Sequence, residues 1–341
     1  MSDSAADDAA ASCRRQLLRE FQHYDRAADI VSIFEYIFTR SESVPKHVHH
    51  FERFPRIGHG SLTPEFSVVT DTQRGIVGEV ARFALHDNAV DRLCTQLERY
   101  SRIKELPGPG STTVAVSKVD VMLVVDMELG IAAVRRIISE RMLSDGHPYN
   151  PETAPIIVQV AQDTQSSKYI FQRIRDPING DFRDDDWPQD VRLSRWFEEN
   201  SLSVPPRYFV DTKAERPLIN DRAPAIYLAI LLWSQVFPEL AITGEGSNEL
   251  SITPERLAAH VRARYGRGRT GEIKGALALL REAGLASRPG GGPNWRIRYH
   301  ALRVPSGSQL VDEVVRRVCA ARSARRSPQQ MSLLDNEPVD P

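Results

Sequence analysis

The sequence predicts an α/β protein in which a mixed sheet flanked by helices is followed by a mostly helical domain. Three observations point there. Strand-like and helical runs alternate between residues 65 and 142, at lengths that imply at least one parallel strand pair. VDVMLVVDM at 119–127 is a continuous apolar run suited to a buried strand. From Ala223 onward the pattern turns to helices separated by short strands.

The elements follow in order. MSDSAADDAAAS is small and acidic, has neither the basic nor the apolar region of a signal peptide, and is expected to be disordered. Arg14 to Phe38 carries Leu17, Leu18, Phe21, Ile30, Ile33, Phe34, Ile37 and Phe38 mostly at helical spacing. A looser segment, SESVPKHVHHFERFPRIGHG, precedes strands at Glu65–Thr70 and Gly75–Phe83, joined by a turn. A helix at Ala89–Arg102, the breaker PGPGS, the strand at 119–127 and a helix at Ala132–Met142 come next. IIVQVAQ and KYIFQRIRD form a hairpin or two further strands. After an acidic loop at 181–190, the second half has an apolar helix from Ala223 to about Phe237 and the short strand ELSIT. A helix capped by Thr253 with Pro254 in its first turn follows, then a helix ending at Gly284 and strands LASR and WRIRYHAL about the loop PGGGPN.

At 341 residues, with 41% hydrophobic and 26% charged residues, the chain is long enough for two domains. The expected division is a disordered tail at 1–12, an α/β domain at 13–190, a junction at 191–222, a helical domain at 223–303, a basic helix at 304–326 and a flexible tail at 327–341. Cys13, Cys94 and Cys319 lie far apart without CxxC or zinc-ligand spacing, which argues against a disulfide framework and for a cytoplasmic protein. The longest apolar run, APAIYLAILLW, is too short to span a bilayer, so no membrane partner is expected.

Charge is divided unevenly. Residues 251–330 hold 16 Lys+Arg against 5 Asp+Glu, a balance of 16 − 5 = +11, so the remainder carries −1 − 11 = −12. A basic block of this size suits a polyanion. Within it Ile273, Ala276, Leu277 and Leu280 form one apolar helix face, while Lys274, Ala278 and Arg281 lie opposite, with Arg267 and Arg269 just before the helix. Arg288, Arg296 and Arg298 fall on the hairpin. Small residues allow close approach to a groove and cations meet phosphates or guanine edges. The order of elements over 223–302, with its GGGPN tip, resembles the winged helix-turn-helix family, which implies binding of double-stranded DNA through these residues.

A second pattern lies in TPEFSVVTDTQRGIVGEVARF, residues 63–83. Pro64-Glu65 precedes one strand, Glu79-Val80-Ala81 ends the next, and Gln96 and Tyr100 stand in a QxxxY arrangement on the following helix. Over residues 14–142 this resembles the PD-(D/E)xK, or restriction-endonuclease-like, nuclease superfamily. The resemblance implies a catalytic set of Glu65, Glu79, Gln96 and Tyr100, with Mg²⁺ held by the carboxylates, if the site is active. Glu35 on the preceding helix is a candidate third acid for the metal. Ala81 stands where the family has a lysine, two residues past the acid and on the same strand face, so the core is expected to be inactive or atypical unless Arg92 or Arg99 supplies the cation. KHVHH places His47 and His49 on one face of an extended chain with His59 nearby. Lacking a carboxylate or cysteine at regular spacing, they form a solvated basic edge.

In the tail, Gln330, Met331, Ser332, Leu333 and Leu334 resemble the pentapeptide by which bacterial replication and repair proteins dock on the DNA polymerase sliding clamp. The three resemblances together imply a bacterial, nucleoid-associated DNA-binding factor that docks on the clamp, in repair, replication or mobile-element (phage) defence. An active Mg²⁺-dependent endonuclease and a winged-helix transcription regulator are the alternatives. The basic helix near 308–325 packs either on its own domain or on a second copy in a homodimer.

Overall fold

The computed structural model describes residues 2–39, 48–58, 61–81, 86–144, 146, 149–163, 165, 168–180, 197, 202–204, 222–242, 249–265, 267–298, 302 and 307–334. Side chains are described between residues 8 and 325, apart from 202–204. The chain divides into two compact units, one made of Met1–Arg26 with Asp221–Pro341 and the other of Ala27–Asn220.

The Ala27–Asn220 unit is built on a mixed seven-stranded sheet in the order β1-β2-β3-β6-β7-β8-β9. Helix α1 (Ser2–Thr39) precedes β1 (Val48–Arg53), β2 (Phe66–Thr70) and β3 (Arg74–Val80), which pair antiparallel in turn. Helix α2 (Asp87–Ser101) and a small hairpin of β4 (Glu105–Pro107) and β5 (Thr113–Ala115) lead to β6 (Lys118–Asp126), parallel to β3. Helix α3 (Gly130–Ala133) continues with π-helical spacing over Val134–Met142. It leads to β7 (Ile156–Asp163), parallel to β6. β8 (Lys168–Arg173) and β9 (Leu202–Val204) complete the sheet antiparallel, so of the two arrangements open for IIVQVAQ and KYIFQRIRD the chain forms the hairpin.

Alternation along the strands gives the sheet two apolar faces. On one, Phe34 of α1 stacks with Phe66 of β2, Phe38 packs tilted against the same ring, and Phe34 meets Phe171 of β8 edge-on. On the other, Val69, Val77, Val119, Val121, Leu123 and Val125 are covered by Leu93, Leu97 and Tyr100 of α2 and by Ile137 and Ile138 beyond α3. The strand at 48–53 was missed in the loose segment. VHHFER lacks apolar alternation because β1 is an edge strand with no fully buried position.

The other unit contains helix α4 (Ala225–Leu231), which runs through a π-helical stretch (Leu232–Val236) into α5 (Phe237–Ile242). Then come β10 (Leu250–Ile252), α6 (Pro254–Tyr265), α7 (Thr270–Glu282), β11 (Ala286–Ser287), β12 (Trp295–Ile297) and α8 (Gly307–Leu334). β10 and β11 flank β12 in an antiparallel sheet. Thr253 caps α6, its hydroxyl accepting from Arg256 N–H at 3.2 Å. Leu310, Val311, Val314, Val315 and Val318 of α8 are buried within the chain.

Three expectations need correction. The segment at 1–12 is helical from Ser2 rather than without secondary structure; its alanine content favours a helix despite the acidic residues. The α/β unit begins at Ala27 rather than 13, because the first half of α1 packs with the C-terminal residues, Phe21 and Tyr24 lying 5.5 and 4.4 Å from the Tyr227 ring. Cys13 and Cys319 are joined in a disulfide with Cα atoms 5.7 Å apart, a pairing hidden by a separation of 306 residues. In addition, α8 carries through residues 330–334, where a flexible tail was expected from 327.

Among the described residues, no helix is long and apolar enough to cross a membrane.

Candidate functional site

The β2–β3 hairpin sets two carboxyls side by side. Phe66 faces Gly78 in the register, and Glu65 N–H donates to the Gly78 carbonyl at 3.0 Å. Glu65 is thereby brought beside Glu79, on the α2 side of the sheet. The hairpin can close this tightly because residue 78 is glycine; a Cβ there would meet the Phe66 ring at 2.0 Å. Glu65 is 4% exposed, Glu79 is partly buried, and the two carboxyls hydrogen-bond each other.

Helix α2 supplies the polar partners. Gln96 and Tyr100, one turn apart, share a helix face. Gln96 Nε2 donates to Tyr100 Oη at 2.5 Å, and Tyr100 Oη donates to Glu79 Oε2 at 3.1 Å. Val80 N–H points at Glu65 Oε2 from 3.4 Å. The result is a line of hydrogen bonds running from Gln96 through Tyr100 to Glu79 and Glu65.

Burial, then the neighbouring Glu65 charge and the hydrogen bond with Glu65, raise the Glu79 carboxyl well above the usual range, against smaller opposing effects of Tyr100 and Gln96. Burial, followed by the Glu79 charge, also pushes the Tyr100 phenol upward, keeping it a donor. Two like charges facing each other across a strand pair are unfavourable, so the pair holds a proton.

The four residues expected at the catalytic set, Glu65, Glu79, Gln96 and Tyr100, are therefore brought together. Glu35 is not. It lies on α1, which covers the opposite sheet face, and pairs with Arg53. Its expected role as a third metal ligand is corrected on that ground. Ala81 continues β3, its N–H donating to Val124 O at 2.8 Å, and its methyl packs against the α2-side core. Arg92 and Arg99 are exposed on α2. Among the described residues, no three His, Cys, Asp or Glu side chains form a group able to hold a metal ion. His49 approaches Asp71 at 4.0 Å and His50 pairs with Glu52 at 3.0 Å; His47 and His59 lie outside the described residues.

The basic surface lies in the other unit. Ile273, Ala276, Leu277 and Leu280 of α7 are fully buried as expected, which turns Gly271, Lys274 and Arg281 outward with Ala278 partly exposed. Lys274 sits 3.3 Å from Glu255, and the Arg281 guanidinium lies over the Trp295 ring at 5.9 Å. Arg288 Nε donates to Gly292 O at 2.6 Å, which shapes the hairpin tip. Arg296 projects outward between buried Trp295 and Ile297. Arg298 faces Glu249 at 3.7 Å, and Arg269 N–H donates to Glu272 Oε2 at 3.3 Å before α7. Arg267 is half-buried. The side chains of Gln330, Met331, Ser332, Leu333 and Leu334 lie outside those described.

Sequence reasoning missed the closing contribution of Gly78 and the contact between the two carboxyls. Register supplies both, and register depends on which residues the turn at 70–74 sets opposite each other.

The chain matches no family model, no curated protein and no solved structure.

Proposed function

We propose that the protein is a DNA-binding factor that reads duplex DNA with a winged-helix unit and carries a restriction-endonuclease-like core that does not cut. The observation that carries this reading is the outer face of α7. Glycine, alanine and two cations at Gly271, Lys274, Ala278 and Arg281 present a low, positive ridge with Arg288, Arg296 and Arg298 beside it. Such a ridge suits the major groove and flanking phosphates. The order helix, strand, two helices and antiparallel hairpin, with β12 between β10 and β11, supports it. Docking on a sliding clamp through Gln330–Leu334 belongs to the same reading, supported by the sequence of that segment.

The core reading is supported by the antiparallel β1-β2-β3, the α2 crossover to parallel β6, and the position of Glu65, Glu79, Gln96 and Tyr100. The residues present do not fit a divalent cation. Two carboxyls hydrogen-bonded to each other remain once Glu35 is assigned to Arg53, and Ala81 brings no charge. No step of the proposed function runs through a metal.

The test is fluorescence anisotropy of labelled duplex DNA over a salt series, with cleavage followed in parallel in Mg²⁺ or Mn²⁺. Binding that weakens steeply with salt, a slope smaller by about one for Lys274→Ala, and intact DNA are expected. Absence of salt-dependent binding would overturn the DNA reading. Cleavage abolished by Glu79→Gln would instead make the core a working nuclease.

A further inference from the structure

We propose that Cys13 and Cys319 form a reversible redox clasp, which fastens the first half of α1 to α8 under oxidising conditions and releases it to thiols. This inference is independent of the DNA reading. It rests on where the two sulfurs lie. Cys13 is on the part of α1 that belongs with residues 221–341, and Cys319 lies on the buried side of α8 one turn beyond Val315. Arg14, next in sequence to Cys13, reaches Asp312 at 3.1 Å, and Phe21 and Tyr24 pack on Tyr227. Noncovalent contacts therefore hold the two cysteines near each other before any bond forms, so closure joins a pair already in place.

The sulfurs differ in access, which gives the exchange a direction. Cys13 is half-buried and Cys319 is buried, so an attacking thiolate meets the Cys13 sulfur first. A small-molecule thiolate attacks Cys13 Sγ, the S–S bond breaks, and Cys319 leaves as thiolate and takes a proton. A second thiolate then attacks the mixed disulfide, releasing Cys13 and a low-molecular-weight disulfide. Closure is the reverse: one low-molecular-weight disulfide is reduced to two thiols as the protein pair is oxidised. Cys94 does not compete, because burial pushes its thiol up to about 12 and removes it from solvent. Opening leaves a helical segment, rather than a loop, held by its noncovalent contacts alone. Arg14, Arg15 and Arg19 are exposed on that segment and offer sites for trypsin once it can unwind.

The experiment equilibrates the full chain in glutathione buffers of graded oxidised-to-reduced ratio. Samples are quenched in acid, alkylated in denaturant and weighed intact. With three cysteines, two of them paired, one alkyl group is expected in the oxidised buffer and three in the reduced buffer. The oxidised form should melt higher by roughly 5 °C or more, since the bond closes a very long loop. Its cleavage by trypsin at Arg14, Arg15 and Arg19 should slow several-fold. Cys13→Ser should abolish the melting shift and the trypsin difference, while Cys94→Ser should keep both. Three alkyl groups in the oxidised buffer, a disulfide-linked dimer, or a redox shift that survives Cys13→Ser would each overturn the clasp.

Discussion

Tyr100 donates its phenolic proton to Glu79 across 3.1 Å, linking the last turn of α2 to the end of β3. The contact matters because Glu79 already shares a hydrogen bond with Glu65, so its remaining acceptor capacity is met from the helix. Removing the hydroxyl in Tyr100→Phe leaves the Gln96 amide without that acceptor and Glu79 without that donor. A loss of about 1–2 kcal/mol in urea unfolding is expected, with the ring packing retained. An unchanged midpoint would mean that the hydroxyl contributes nothing to holding α2 on the sheet.

Stability should fall with rising pH through the carboxyl pair. Glu79 has a folded-state pKa raised above its ordinary 4.5, so its contribution is complete below that value and is lost as pH rises through the folded pKa. In that window the folded chain holds a proton that the unfolded chain has given up, and the slope is about −1.4 kcal/mol per pH unit. Glu79→Gln, which is neutral throughout, should gain on the parent protein from about pH 4.5 upward. Parallel stability curves for the two proteins between pH 5 and 8 would sink this account.

Gly78→Ala should be costly for its one methyl group. The added carbon would fall within 2.0 Å of the Phe66 ring, whose position is fixed by Phe34, Phe38 and Phe51. Overpacking of this kind costs about 1–3 kcal/mol. Phe66→Leu in the same chain should recover part of the loss, measured as a coupling energy in a double-mutant cycle. Strict additivity would show that the ring is not what residue 78 accommodates.

Glu35→Gln tests the reassignment of that acid. Its partner Arg53 has a pKa brought down by burial to about 10, so the guanidinium is poorly solvated and depends on the carboxylate. Neutralising Glu35 should lower stability by about 1–3 kcal/mol while leaving DNA affinity and any Mn²⁺ response unchanged. A selective loss of metal response with stability intact would return Glu35 to the acidic site.

The two candidate sites, one in each unit, differed in how far the sequence exposed them. The buried face of α7 could be read from Ile273, Ala276, Leu277 and Leu280, because helical periodicity is local. Glu65, Glu79, Gln96 and Tyr100 could be nominated by spacing, but their contacts needed the strand register and the docking of α2. Glu35 failed as a candidate for a similar reason. Its position on α1 says nothing about which sheet face α1 covers, and that is decided by Phe34 and Phe38. The Cys13–Cys319 pairing was least legible of all, since no spacing rule links residues at opposite ends of a chain.

The course of α1 through both units has a consequence for synthesis on the ribosome. Leu17, Phe21 and Tyr24 leave the exit tunnel ahead of the Ala27–Asn220 unit, yet Tyr227 and the valines of α8 emerge only after the whole of it. At about 5–20 residues per second, the early apolar stripe waits for tens of seconds without its cover. Fragments that end near residue 220 would keep that stripe bare indefinitely. They should therefore be recovered as aggregates or chaperone-bound species, whereas a chain starting at Ala27 and ending there should stay dispersed.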